Sequence, residues 1–139
     1  MSVQPENSKW HVAARSGQCA ILIPSDGNFD VKAAGNVTSS SLTGCEFAPT
    51  VSLRHRTKPD TFVTVTSIHV QASVSDMPAW YDTFTSSLSS LEFPGVAVVA
   101  GDFNHNATGS NLPLGWKSAH PSTDLSGGTS QHQDNWMGR

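Results

Sequence analysis

Long apolar runs, blocks of like charge and cysteine are what this chain has little of. No hydrophobic stretch approaches the ~18 residues that suggest a membrane-spanning helix, so a folded, soluble chain is expected. No run of Lys or Arg occurs and the net charge is −3, which leaves the usual electrostatic footprint of a tight, nonspecific polyanion binder missing. No basic groove can be located from the sequence. The two cysteines, Cys19 and Cys45, match no zinc spacing. They leave open a disulfide between neighbouring strands or a pair of buried thiols. Met1 leads into polar residues and Pro5 without an apolar segment, so no cleavable signal is visible, and an intracellular or already processed chain is expected. At 139 residues, the length suits one domain spanning 1–139.

The most informative stretch present is Val96-Ala97-Val98-Val99-Ala100-Gly101-Asp102-Phe103-Asn104. Five apolar residues read as a strand covered on both faces. Gly101 then permits a tight backbone path that lets Asp102 and Asn104 point the same way at its tip. Ordinary turn chemistry is the competing reading, because Asp and Asn both hydrogen-bond nearby backbone amides.

Earlier in the chain, Phe62 to Val70 is rich in β-branched residues and reads as a strand with His69 near its end. Asp76 or Ser75 can cap a following helix whose first turn tolerates Pro78. Trp80, Tyr81, Phe84, Leu88 and Leu91 recur at the spacing of one buried face, and Pro94-Gly95 is the expected stop. Strand, helix, strand over this length predicts a crossover that brings His69 and Asp102 to one sheet edge. Further upstream, residues 17–24 read as a strand ended by a Ser25-Asp26-Gly27-Asn28 turn, and residues 48–56 as another. Thr57-Lys58-Pro59-Asp60 is the turn into the histidine strand. Residues 33–44 are small and polar, without apolar period, and read as a loop, as do residues 105–130.

The quartet Gly101-Asp102-Phe103-Asn104 after an apolar strand, with His69 at the end of an earlier one, resembles the endonuclease/exonuclease/phosphatase superfamily, the deoxyribonuclease-I-like phosphodiesterases. Residues 69–76, His-x-x-Ala and then an Asp before a helix, are similar to the same region of the cytolethal distending toxin nuclease subunit. The resemblance covers roughly residues 15–138. It implies an α/β (α+β) fold, a partial deoxyribonuclease-I-like β-sandwich flanked by helices. It also implies a hydrolase, a Mg²⁺- or Mn²⁺-dependent nuclease or phosphodiesterase acting on nucleic acid, DNA first. Secretion is weakly favoured by the same resemblance.

By that resemblance the catalytic residues are His69, Asp102, Asn104 and Asp134, and the metal ligands Asp102, Asn104 and Glu6. Asp102 and Asn104 would hold or orient metal, water and phosphate. His69 would donate to the phosphate or leaving oxygen, which suits an imidazole, whose unperturbed pKa is about 6.5. Asp134, in Gln133-Asp134-Asn135-Trp136-Met137, would orient a second histidine, and Glu6 stands in a weak echo of the family's Gln-Glu context.

Several departures stand beside the likeness. Ala48 precedes Pro49 where toxin-type nucleases carry an arginine, with Arg54 and Arg56 the nearest candidates to replace it. His105 follows Asn104 in place of another arginine. The family's closing Ser-Asp-His motif has no counterpart, which leaves His120, His132 or a further chain or segment to complete the site. Asn36-Val37-Thr38 and Asn106-Ala107-Thr108 fit the glycosylation pattern, though a glycan at the second would obstruct the site. Two readings follow: a metal-dependent phosphodiesterase, most like a deoxyribonuclease but with phosphoinositide or sphingomyelin phosphodiesters also open, and a catalytically inactive member of the fold acting as a binding module.

Overall fold

The computed structural model describes residues 9–37, 48–104 and 112–118, together with the backbone of 134–138. Eight strands and one helix occur among them: β1 (Trp10–Ser16), β2 (Cys19–Pro24), β3 (Phe29–Asn36), β4 (Pro49–His55), β5 (Phe62–His69), α1 (Met77–Ser89), β6 (Val96–Asp102), β7 (Lys117–Ser118) and β8 (Asp134–Gly138).

β5 lies at the centre of the arrangement. Its β-branched residues alternate between two buried surfaces, as a strand with period two must when both faces are covered. Ile68, with Val70 just beyond the strand, packs with Val99, Phe103 and the helix residues Met77, Trp80, Tyr81, Phe84 and Leu88. Val63 and Val65 pack on the other face with Ile21, Ile23, Val51 and Leu53. The six-stranded sheet, in order β3-β4-β5-β6-β8-β7, therefore has α1 on one face and the two-stranded sheet β1-β2 on the other. This is the expected sandwich of mixed α/β class, with one flanking helix among the described residues.

Polar groups within the sheet are paired where they are buried. Thr50 and Thr66 face each other across β4 and β5 with their hydroxyls 2.8 Å apart, and Thr50 also donates to the Ala48 carbonyl. Each satisfied pair avoids the penalty of roughly 1–3 kcal/mol for an orphaned buried polar group.

The helix follows the sequence reading closely at its start. Asp76 caps it by accepting from the Ala79 amide at 3.1 Å, and Pro78 sits in the first turn. Trp80, Tyr81, Phe84 and Leu88 are buried, and Trp80 stacks on Phe84 at 5.1 Å between ring centroids. The end differs: the helix closes at Ser89, and Glu92 takes a left-handed φ of 55° before Pro94 is reached. Pro94-Gly95 instead shapes the entry into β6, where Gly95 (φ 89°) lies so near the Phe62 carbonyl that a Cβ could not fit.

Two strands depart from expectation. Residues 33–36 belong to β3, which pairs antiparallel with β4 from Phe29↔His55 to Asn36↔Pro49 around a bulge between Val31 and Ala33. Their small side chains carry little strand propensity, and pairing with β4 supplies what composition does not. β1 pairs with β2 through a tight turn at Gly17 (φ 57°). The turn between β4 and β5 is as expected, closed by Thr61 N–H donating to the Lys58 carbonyl at 2.9 Å. Cys19 is a buried free thiol, pushed up by burial and partly offset by its hydrogen bond with Ser67; Cys45 lies outside the described residues.

Candidate active site

β5 and β6 are parallel neighbours joined by α1, and their register sets His69 beside Asp102. Parallel strands linked by a helix end on the same sheet edge, so two residues thirty-three positions apart meet without any special loop. His69 Nε2 stands 3.8 Å from Asp102 Oδ2, and their side chains are 44% and 22% exposed. The imidazole is thus open to a ligand from solvent while the carboxylate is partly enclosed.

Three contacts fix the segment that follows. Val70 N–H donates to the Asp102 carbonyl at 2.8 Å, extending the β5–β6 ladder past the strand ends. Asn104 N–H donates to Asp102 Oδ1 at 3.0 Å, and Asn104 Nδ2 donates to the Val70 carbonyl at 2.7 Å. Phe103, fully buried between the two polar residues, packs toward Tyr81 with ring centroids 6.2 Å apart. The apolar anchor goes into the core, and Asp102 and Asn104 are held at the rim on either side of it. Phe103 and the Val70 carbonyl were not among the expected site residues, although a large apolar residue between Asp and Asn was a readable sign of such an anchor.

Gly101 does not make a turn, as the sequence suggested. It is a paired strand residue opposite Ile68, with φ 144°, and a Cβ there would fall on the Ile68 carbonyl oxygen. Close approach of β5 and β6 requires the glycine. The expected turn chemistry is present, since Asn104 adopts φ 52° and its N–H donates to the Asp102 carboxylate.

β8 runs antiparallel to β6 with Asp134 at the register position opposite Asp102. His69, Asp102 and Asp134 therefore occupy one tier across three adjacent strands. Glu6, His105, His120 and His132 lie outside the described residues. Ala48 is fully buried and its N–H donates to Asn36 Oδ1 at 2.9 Å, so an arginine at that position would have no room. Arg54 does not replace it, because its register partner Phe62 begins β5, at the opposite end from His69.

The donor set fits a hard divalent cation. Asp102 offers carboxylate oxygen, and because Asn104 Nδ2 is committed to Val70, Asn104 Oδ1 is the atom of that side chain suited to a metal or a polarised water. Mg²⁺ characteristically takes one or two carboxylates and fills the remaining positions with water and phosphate oxygens. Among the described residues no group of three or more His, Cys, Asp or Glu side chains is placed to hold a metal ion.

Three solved structures share the architecture. Truncated TDP2 (tyrosyl-DNA phosphodiesterase 2) from Caenorhabditis elegans matches with a TM-score of 0.61 at 15% identity, over 93% of this chain and 61% of that one. TDP2 of D. rerio, humanized by 14 mutations, matches at 0.59 and 10% identity, over 94% of this chain and 58% of that one. The fold is DNase-I-like. A second C. elegans TDP2 structure matches at 0.53 and 13% identity, over 93% of this chain and 47% of that one. The chain thus spans less than two thirds of the length of these solved structures. No protein-family model and no curated protein sequence matches it.

Proposed function

We propose that the chain is a metal-dependent phosphodiesterase of the deoxyribonuclease-I-like kind, hydrolysing phosphodiester bonds in DNA by attack of water. The supporting observation is the His69 Nε2 to Asp102 Oδ2 approach of 3.8 Å at the ends of two parallel strands, with Asn104 bound to both strand ends. The shared fold of DNA phosphodiesterases agrees with it, and the narrower likeness to the toxin nuclease subunit rests on sequence alone.

In this reading His69, exposed at the rim, donates a hydrogen bond to a phosphoryl oxygen or a proton to the leaving oxygen. Asp102 faces the imidazole and, with Asn104 Oδ1, would hold the metal or orient the attacking water opposite the leaving group, the water's proton passing to solvent. The chemistry Mg²⁺ or Mn²⁺ supplies when bound is neutralisation of charge on the phosphoryl oxygens. By the same resemblance Asp134, whose register position is opposite Asp102, would orient a second histidine, and Glu6 would be a further metal ligand. A second reading is a noncatalytic binding module that keeps the same fold.

Plasmid nicking separates the two. With Mg²⁺, the chain is expected to nick supercoiled DNA, EDTA to abolish it, and His69→Ala to slow it about 10²–10⁴-fold. Asp102→Ala is expected to remove it to background. Equal background in the wild type and both variants would establish the noncatalytic reading.

A further inference from the structure

The chain has no run of basic residues, yet the pairing of β3 with β4 gathers cations from separate parts of it. Asp30 faces Arg54 in the register, and Arg56 Nε reaches Asp30 Oδ1 at 2.8 Å. Lys32 lies within the bulge between Val31 and Ala33 and is exposed. Asp30 records how near these groups are: its carboxyl is held below the usual range by the hydrogen bond from Arg56 first, then by the charges of Arg56, Lys32 and Arg54. Three cations thus share one carboxylate. Lys9 and Lys58 lie at the same end of the sheet, as do Asp26 and Asp60 in the adjoining turns.

This patch is remote from the candidate active site. Arg54 pairs with Phe62 at the start of β5 and His69 ends that strand, a separation of roughly 23 Å along the strand. The patch therefore touches neither the reacting phosphate nor the metal donors. Arg54 and Arg56 lie two residues apart, and a guanidinium is a planar fork matched to phosphate oxygens; Arg56 already donates to Asp30 through Nε and to the Ser25 carbonyl through Nη2 at 3.5 Å, contacts that a phosphate would share or displace. Lys32 adds a third positive charge.

We propose that the Lys32–Arg54–Arg56 patch is a second, metal-independent contact for the phosphate backbone of nucleic acid. The choice of nucleic acid over other polyanions rests on the phosphodiesterase reading; the anion site itself does not. It gives a chain of net charge −3 a local surface that attracts the polymer.

The test is binding without catalysis: fluorescence anisotropy of a labelled DNA duplex with the full chain in EDTA, across a series of NaCl concentrations. Binding should weaken with salt, with a slope of log K against log [NaCl] near −3 for three phosphate contacts at about 0.9 each. Lys32→Gln, at an exposed position, should reduce the slope by about 1, and Lys32→Gln/Arg54→Gln by about 2. Lys117→Gln, on β7, should leave it unchanged. Far-ultraviolet circular dichroism of each variant checks that the half-buried Arg54 position still folds, and Lys32→Gln carries the test if it does not. Equal slopes in the wild type and Lys32→Gln would overturn the proposal. So would absence of duplex binding, or binding to phosphatidylserine vesicles in its place. Loss of nicking with this slope intact would sink the catalytic reading and leave the patch standing; nicking with a flat slope would do the reverse.

Discussion

Gly101 and Asn104 show how single residues build the rim. Gly101 brings β6 against the Ile68 carbonyl where no Cβ fits, and Asn104 takes a left-handed backbone that Asn tolerates while tying Asp102 to Val70. Gly101→Ala is expected to destabilise the chain by about 3 kcal/mol or more, from strain plus a backbone collision, read by urea denaturation. The sequence marked both residues as unusual, but it could not tell a turn glycine from a glycine forced by a neighbouring carbonyl, because that neighbour lies on another strand. Tyr81 is a second residue-scale case. Its hydroxyl is buried without a hydrogen-bond partner among the described residues, and burial pushes the phenol up to about 12 from 10. Between those values the unfolded chain releases a proton that the folded chain keeps, so stability should fall as pH rises through 10 and level off beyond about 12. Tyr81→Phe should remove that alkaline loss and, near neutral pH, leave the melting temperature equal or higher, since it deletes an unpaired polar group.

At the scale of elements, those with strong periodicity were the legible ones. α1 was readable because its aromatic stripe, its Asp76 cap and its early proline agree with one another. β2, β4, β5 and β6 were readable from apolar or β-branched runs. β1 and β3 were not: Ala33, Ala34 and Gly35 carry no strand signal of their own, and partner registers hold them. The same logic hid the basic patch, since Lys32 and Arg54 become neighbours only when β3 pairs with β4. The cap offers a direct check at this scale. Asp76→Ala removes the acceptor for the Ala79 amide, so it should cost about 1 kcal/mol of stability. It should leave plasmid nicking unchanged at temperatures well below the melt, which would separate helix support from rim chemistry.

For the molecule as a whole, the arrangement divides into a contiguous unit and a distant contribution. β5, α1 and β6 follow one another directly and hold His69 and Asp102 by themselves, whereas β8 reaches the other edge of β6 from far along the chain. His69 and Asp102 were accordingly legible as a pair from strand-helix-strand order, while Asp134 could be located only by the register of β8. That division has a kinetic corollary. Contacts between remote segments form later than local ones, because more loop entropy must be lost before they are rewarded. During refolding, pulse-labelled amide exchange should find the β6 amides that bond toward β5 protected before those that bond toward β8. Simultaneous protection on both edges would mean that the sheet closes in a single event. If the two are separated, the chain passes through an interval in which its core is assembled and its imidazole and first carboxylate are in register, while the second carboxylate has yet to arrive.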